Sequence, residues 1–263
     1  MIRTWAVALA MLAMTGPAMA ETIHLFAAGS LREALNDVAK AYQAKTGNTV
    51  VAKYGPSGTL KDEIAGGAKA DVFASANMEH PKALHDAGKS EPAMLFVRNK
   101  LCALVKPGLS VTSATLLDRM LDPSVKLGTS TPKADPSGDY AFAVFRKAET
   151  IKPGAQAVLE KKALQLTGGT GSATPPAGRI VYCWHVAEGR ADIFLTYCTG
   201  ALAATKENPG QQMVALPDNL SVGADYWLTV MNGAAPAAKA FAQFIMFPKG
   251  QRIFLGHGFS TVK

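Results

Sequence analysis

The chain has 263 residues, of which 18% are charged and 48% hydrophobic, with a formal net charge of +7. That balance suits a packed globule and excludes a disordered, charge-rich chain. The lysines are scattered and no aromatic-basic stripe accompanies them, so the charge offers no nucleic-acid surface.

The first twenty residues have the form of a removable leader. Arg3 supplies a positive start, Trp5 to Met14 an apolar stretch, and Ala18-Met19-Ala20 a small-residue cleavage site before Glu21. Gly16 and Pro17 interrupt the apolar run, which is too short to span a bilayer. No cysteine stands at the cleavage site, so a lipid anchor is not expected. Residues 1–20 are therefore read as a signal peptide, and the mature protein as periplasmic.

Ile23 to Ala28 reads as a short buried strand, followed by Gly29, Ser30 and a helical segment with Leu31, Leu35, Val38, Ala39 and Tyr42 on one face. Ser30 is expected to cap that helix. The device returns: strand Asn48–Tyr54, then Gly55-Pro56-Ser57-Gly58, then a helix from Lys61. Ala70 to Ala76 and Met94 to Val105 supply further strands, and Pro81 to Ala87 a helix. Leu127 to Ser130 leads to a third such turn, Asp135-Pro136-Ser137-Gly138, which opens a helix through Lys147. Here Ser137 is the expected cap. A strand-to-helix turn presents free N–H groups at the positive end of a helix, a ready place for an anion.

Gly168 to Ser172 is glycine-rich, but no Lys-Ser/Thr pair follows it, so it is read as a flexible loop and not a phosphate cradle. A helix from Ile180 to Glu188, a buried strand Ala191–Tyr197, a strand Ala224–Met231 and a helix Pro236–Phe247 complete the chain, with an aromatic cluster over Arg252–Phe259. Strands alternating with helices predict an α/β layer structure, whose ligands bind beyond the carboxyl ends of the strands. Of the three cysteines, Cys183 and Cys198 are expected to pair, with Cys102 a buried small hydrophobe. No histidine or cysteine spacing resembles a metal site.

The ordered set Ala27-Ala28-Gly29-Ser30-Leu31, Gly55-Pro56-Ser57-Gly58-Thr59-Leu60, Ala70–Ala76, Pro136–Ala141 and Ala191–Tyr197 resembles the periplasmic molybdate-binding proteins of ABC transporters. The resemblance covers the chain from about Glu21 to the C-terminus. It implies a two-lobed binding-protein fold of type II, each lobe a mainly parallel sheet flanked by helices, with the ligand cleft between them. Lobe 1 would be residues 21–105 plus 224–263, and lobe 2 the inserted residues 106–223.

It further implies a monomeric, non-enzymatic receptor without cofactor. Molybdate or tungstate would be held as a tetrahedral oxyanion and delivered to a membrane permease. Ser30 and Ser57 match the first-lobe serines that donate to the anion, and Tyr197 the second-lobe tyrosine whose phenol reaches it. Ser137 falls where the family has an alanine giving a backbone N–H. Arg179 is the ungapped match to an aliphatic residue that gives another, and its charged side chain is expected to turn to solvent. Cys198-Thr199 replaces the usual Ser- or Thr-Asp pair after the tyrosine. The alternatives are another small anion, sulfate-like or a carboxylate, and a secreted serine hydrolase. The latter is disfavoured because Ser57 lies in Gly-Pro-Ser-Gly-Thr and not in Gly-x-Ser-x-Gly.

Overall fold

The computed structural model describes residues 20–262, so the signal-peptide expectation lies, but for Ala20, outside the described residues. In chain order the elements are β1 (Thr22–Ala28), α1 (Arg32–Thr46), β2 (Thr49–Gly55), α2 (Ser57–Ala65), β3 (Val72–Ser75), α3 (Glu79–Asp86) and the long β4 (Met94–Val105). There follow α4 (Leu116–Leu121), β5 (Leu127–Ser130), α5 (Pro136–Ile151), α6 (Ala155–Lys162), β6 (Leu164–Thr167), α7 (Val181–Ala187) and β7 (Ile193–Tyr197). The chain ends with α8 (Cys198–Glu207), β8 (Gln212–Ala215), β9 (Gly223–Val230), α9 (Pro236–Met246), α10 (Pro248–Gly256) and β10 (Ser260–Thr261). No helix among the described residues is long and apolar enough to cross a membrane.

The strands form one continuous mixed sheet in the order β2-β1-β3-β9-β4-β7-β5-β6, with β8 and β10 also pairing β4. Two parallel triplets, β2-β1-β3 and β6-β5-β7, are joined through antiparallel β9 and β4. The joint is a change of partner inside β4. Its first part, to Lys100, pairs β9. From Leu101 to Val105 it pairs β7 and β8. Each half has its helices, and the apolar strands bury almost every side chain because both faces are covered.

Both triplets are pinned by the same device. Asp71, just before β3, accepts the His24 N–H at 2.7 Å and returns its own N–H to the His24 carbonyl at 2.8 Å. Asp192, just before β7, does the same with Lys126, at 2.8 Å in each direction. Each aspartate ties the start of its own strand to the neighbouring one, and so fixes where their carboxyl ends, and the turns beyond, must lie.

The disulfide expectation is corrected. Cys102 bonds Cys198, and Cys183 is a buried free thiol. The antiparallel register sets Cys102 opposite Thr196, so β7 delivers Cys198 beside it, with the Cα atoms 4.8 Å apart. Cys183 sits instead in α7 within the apolar cluster of Phe194, Ala191 and Ala201. Burial, and next the neighbouring Glu207, push its thiol up to about 11.

Candidate functional site

Three turns at carboxyl ends of strands meet where the two halves of the molecule face each other. The first follows β1 as a single tight turn, Gly29–Leu31, before α1 begins at Arg32. Ser30 does not cap α1, contrary to expectation, because that extra turn moves it away from the helix's first N–H groups. Its hydroxyl pairs with the Tyr226 phenol of β9 at 2.9 Å. In the second turn Pro56 precedes the helix and Ser57 is the first residue of α2. The Ser57 hydroxyl, 1% exposed, accepts the Ala76 N–H at 3.2 Å. The next N–H, of Gly58, donates across to the Ala134 carbonyl at 3.1 Å. A Cβ on Gly58 would lie 2.5 Å from the Lys133 carbonyl, so only glycine allows this approach.

The third turn corrects a second capping expectation. Asp135, not Ser137, caps α5, its Oδ1 accepting the Ser137 N–H at 3.0 Å, with Pro136 in the first turn. Ser137 is fully buried and its hydroxyl has no hydrogen-bond partner. Gly138 packs so closely on the preceding chain that a Cβ would meet the Ser130 carbonyl at 2.6 Å. The glycine-rich loop lies over this turn. A Cβ on Gly168 would be 2.7 Å from that of Asp135, and one on Gly169 2.7 Å from the Thr131 hydroxyl. The glycines there serve close packing. Loss of solvent pushes the Asp135 carboxyl up to about 6, against the lowering effect of the Ser137 N–H.

Tyr197 ends β7, 1% exposed, with its hydroxyl unpaired. Burial, and then the neighbouring tyrosine and Asp135 groups, hold it protonated. Its ring lies 5.4 Å from that of Tyr226 and 6.2 Å from that of Tyr140. Tyr140, on α5, donates to the Ala76 carbonyl at 3.1 Å. Contacts thus trace an open ring from Ser30 through Tyr226, Tyr197, Tyr140, Ala76 and Ser57, then through Gly58 and Ala134 to Asp135 and Ser137. Tyr226, Tyr140 and Asp135 are members that the sequence reading passed over. Asp135-Pro136 before a helix is a strong start signal that could have found the last of them.

Four of the five expected residues belong to this ring, and Arg179 does not. Its exposed guanidinium pairs with Glu207 of α8. The Arg179 N–H goes to the Pro176 carbonyl at 3.1 Å and the next N–H, of Ile180, to Glu207 at 2.8 Å. The backbone N–H groups of Arg179 and Ile180 are therefore occupied.

The ring joins the N-termini of α1, α2 and α5, whose partial positive charges favour an anion. Its side chains are neutral hydroxyls apart from Asp135. Ser57 has no histidine partner: His257 bonds Asp37 at 3.0 Å and His185 stacks on Phe194 at 5.9 Å. No metal-holding group of three or more His, Cys, Asp or Glu occurs among the described residues.

The profile of the family described as bacterial extracellular solute-binding protein matches residues 23–260. An uncharacterized protein of Pasteurella multocida is 31% identical over 238 residues, covering 90% of this chain and 98% of its own. The molybdate-binding protein ModA of Escherichia coli is 28% identical over 268 residues, covering 95% and 94%. Among solved structures, the sulfate-binding protein SubI of Mycobacterium tuberculosis superposes with a TM-score of 0.76 at 20% identity, covering 92% of this chain and 88% of that one.

Proposed function

Because the chain belongs to the bacterial extracellular solute-binding proteins, which carry a ligand and do not transform it, we propose that it is the receptor of an ABC importer for molybdate or tungstate. In this reading it is exported to the periplasm. The inserted lobe 106–223 and the lobe of residues 21–105 with 224–263 close on the oxyanion and present it to the membrane permease. Ser30, Ser57, Ser137 and Tyr197 supply the donors, and Arg179 remains outside.

The observation that carries the reading is the pair of buried, unpaired hydroxyls, Ser137 and Tyr197, set in one ring with two serine turns of the opposite lobe. A buried hydroxyl without a partner costs about 1–3 kcal/mol, and an anion that accepts from it removes that cost. A dehydrated dianion needs many such donors, and helix N-termini with hydroxyls provide them without proton transfer. The resemblance to molybdate-binding proteins along the whole mature chain supports the choice of anion.

Thermal unfolding of the mature protein with single additions of molybdate, tungstate, sulfate, phosphate or small carboxylates tests it. At roughly 1,000 times its dissociation constant a ligand adds about 4 kcal/mol of stability, which raises the melting temperature by several degrees. Molybdate and tungstate should produce the shift and sulfate should not, while Ser30→Ala with Tyr197→Phe should shrink it. A shift with sulfate alone would reassign the cargo, and no shift with any tetrahedral anion would sink the reading.

A further inference from the structure

We infer that Asp135 makes anion capture proton-linked: its carboxylate occupies the Ser137 N–H in place of the ligand, and a dianion binds at this turn only as Asp135 takes up a proton. The inference rests on reading the α5 N-terminus as part of the anion site. The Ser137 N–H is the donor that the resemblance gives to the oxyanion, and here it is held by Asp135 Oδ1 at 3.0 Å. A carboxylate is itself an oxyanion, so it satisfies the helix N-terminus as the cargo would.

The surroundings of Asp135 leave its charge exposed to a second anion. It makes no ion pair among the described residues. From its own helix it faces Asp139, whose like charge also disfavours ionisation. From α7 and β7 it faces the neutral phenols of Tyr182 and Tyr197, whose protons its charge helps to retain. From β5 it faces Ser130, from the covering loop the uncharged Gly168, and across the lobes Ala134 meets Gly58. Lys133, in the same turn, is exposed and gives its N–H to Asp139 at 2.9 Å. The carboxyl therefore titrates near pH 6 before any ligand arrives.

A dianion beside it raises that value further, since a like charge disfavours the ionised form. Protonated, Asp135 releases no charge against the ligand and offers an O–H donor in place of the acceptor it was. The consequence is affinity that increases as pH falls toward 6. The ordinary cargo of such a site stays a dianion over that range, so the dependence belongs to the protein.

The test is calorimetric titration of micromolar molybdate, with sulfate and phosphate as comparison anions, at pH 6, 7 and 8. Two buffers of different ionisation heat are used, on the wild-type protein and Asp135→Asn. Wild-type affinity should fall about tenfold between pH 7 and pH 8, with close to one proton taken up per anion bound at pH 7. Asp135→Asn, whose neutral amide holds the Ser137 N–H less tightly than a carboxylate and sets no charge against the anion, should bind with no proton uptake, a nearly flat pH profile and higher affinity than wild type at pH 8. Asp135→Ser, another good cap, guards against a folding defect peculiar to the asparagine variant. Binding with the same pH slope in wild type and variants overturns the inference and leaves the anion site standing. Failure of every anion to bind at any pH overturns the anion site and this inference with it.

Discussion

In one lobe the hydroxyls of Ser30 and Ser57 are engaged within the protein, 2.9 Å from Tyr226 and 3.2 Å from the Ala76 N–H, whereas in the other those of Ser137 and Tyr197 have no partner. The lobes share strand order and the reciprocal aspartate that pins it, so architecture does not explain the difference. The contrast extends beyond the four residues. Of ten buried, unpaired side-chain polar atoms among the described residues, eight lie on residues 106–223: Thr129, Ser130, Ser137, both nitrogens of His185, Thr196, Tyr197 and Gln211. One lobe thus satisfies most of its buried polar groups by its own contacts, and the inserted lobe leaves more of them unpaired, Ser137 and Tyr197 among them, at a cost. A ligand closing the cleft gains most from the inserted lobe, which fits a receptor whose first lobe is preformed and whose second is completed by its cargo.

The largest expected effect is on what holds the inserted lobe together despite that cost. Cys102–Cys198 anchors the residue next to Tyr197 to the strand that runs between the lobes. Replacing both cysteines with alanine should lower stability by about 2–4 kcal/mol in denaturant unfolding. Alkylation of the unfolded, unreduced protein should label Cys183 alone. Label on Cys102, or an unchanged unfolding midpoint, would contradict the covalent tie.

Next in size is a reversal between the two kinds of hydroxyl. Ser30→Ala removes the Tyr226 phenol's 2.9 Å partner, leaving Asn99 beside it, and should cost about 0.5–1.5 kcal/mol without any ligand. Ser137→Ala and Tyr197→Phe remove groups that have no partner and should leave stability unchanged or slightly higher, while all three weaken anion binding. Chemical denaturation of the unliganded variants reads this directly. Equal destabilisation by Ser30→Ala and Ser137→Ala would erase the contrast.

Much of this was legible in the residues, and the parts that were not have physical reasons. The long, buried or strongly periodic elements, such as β1, α1, β7 and α9, follow from their apolar patterns. β6 and β8 escaped because each is four residues long and largely unburied: the Leu-Gln-Leu-Thr alternation of β6 is too short to stand out, and β8 has none. The three serine turns were visible as Gly-, Pro- and Ser-rich strand ends. The direction of each serine hydroxyl was not, since it depends on a one-residue offset at the helix start and on partners far along the chain. Tyr226 lies 196 positions from Ser30. The wrong cysteine pairing has the same origin: the register of β4 against β7, not the neighbourhood of the Cys183 helix and the strand before Cys198, decided which thiol met Cys198.

The smallest effect concerns a polar group of the inserted lobe that no anion satisfies. His185 is 1% exposed, stacked on Phe194 and tilted against Trp184, with no well-formed hydrogen bond to either ring nitrogen and a backbone group of Leu166 beside the ring. Burial, and then the nearby Arg190, depress its pKa below the ordinary histidine value. The unfolded chain therefore binds a proton more readily, so the stability His185 allows is present above about pH 6.5 and is lost as pH falls below it. The slope for one proton is at most about 1.4 kcal/mol per pH unit. In the first lobe His80 shares the sign, again chiefly through burial. Asp135 acts the other way, since its raised pKa removes stability as pH rises toward 6. The wild-type acid profile mixes all three, whereas its difference from His185→Leu isolates one. That difference should widen as pH falls below 6.5, with the leucine variant losing less stability on acidification. A difference flat over that range would mean that His185 finds a partner for its proton, and that the inserted lobe is better satisfied than its unpaired atoms indicate.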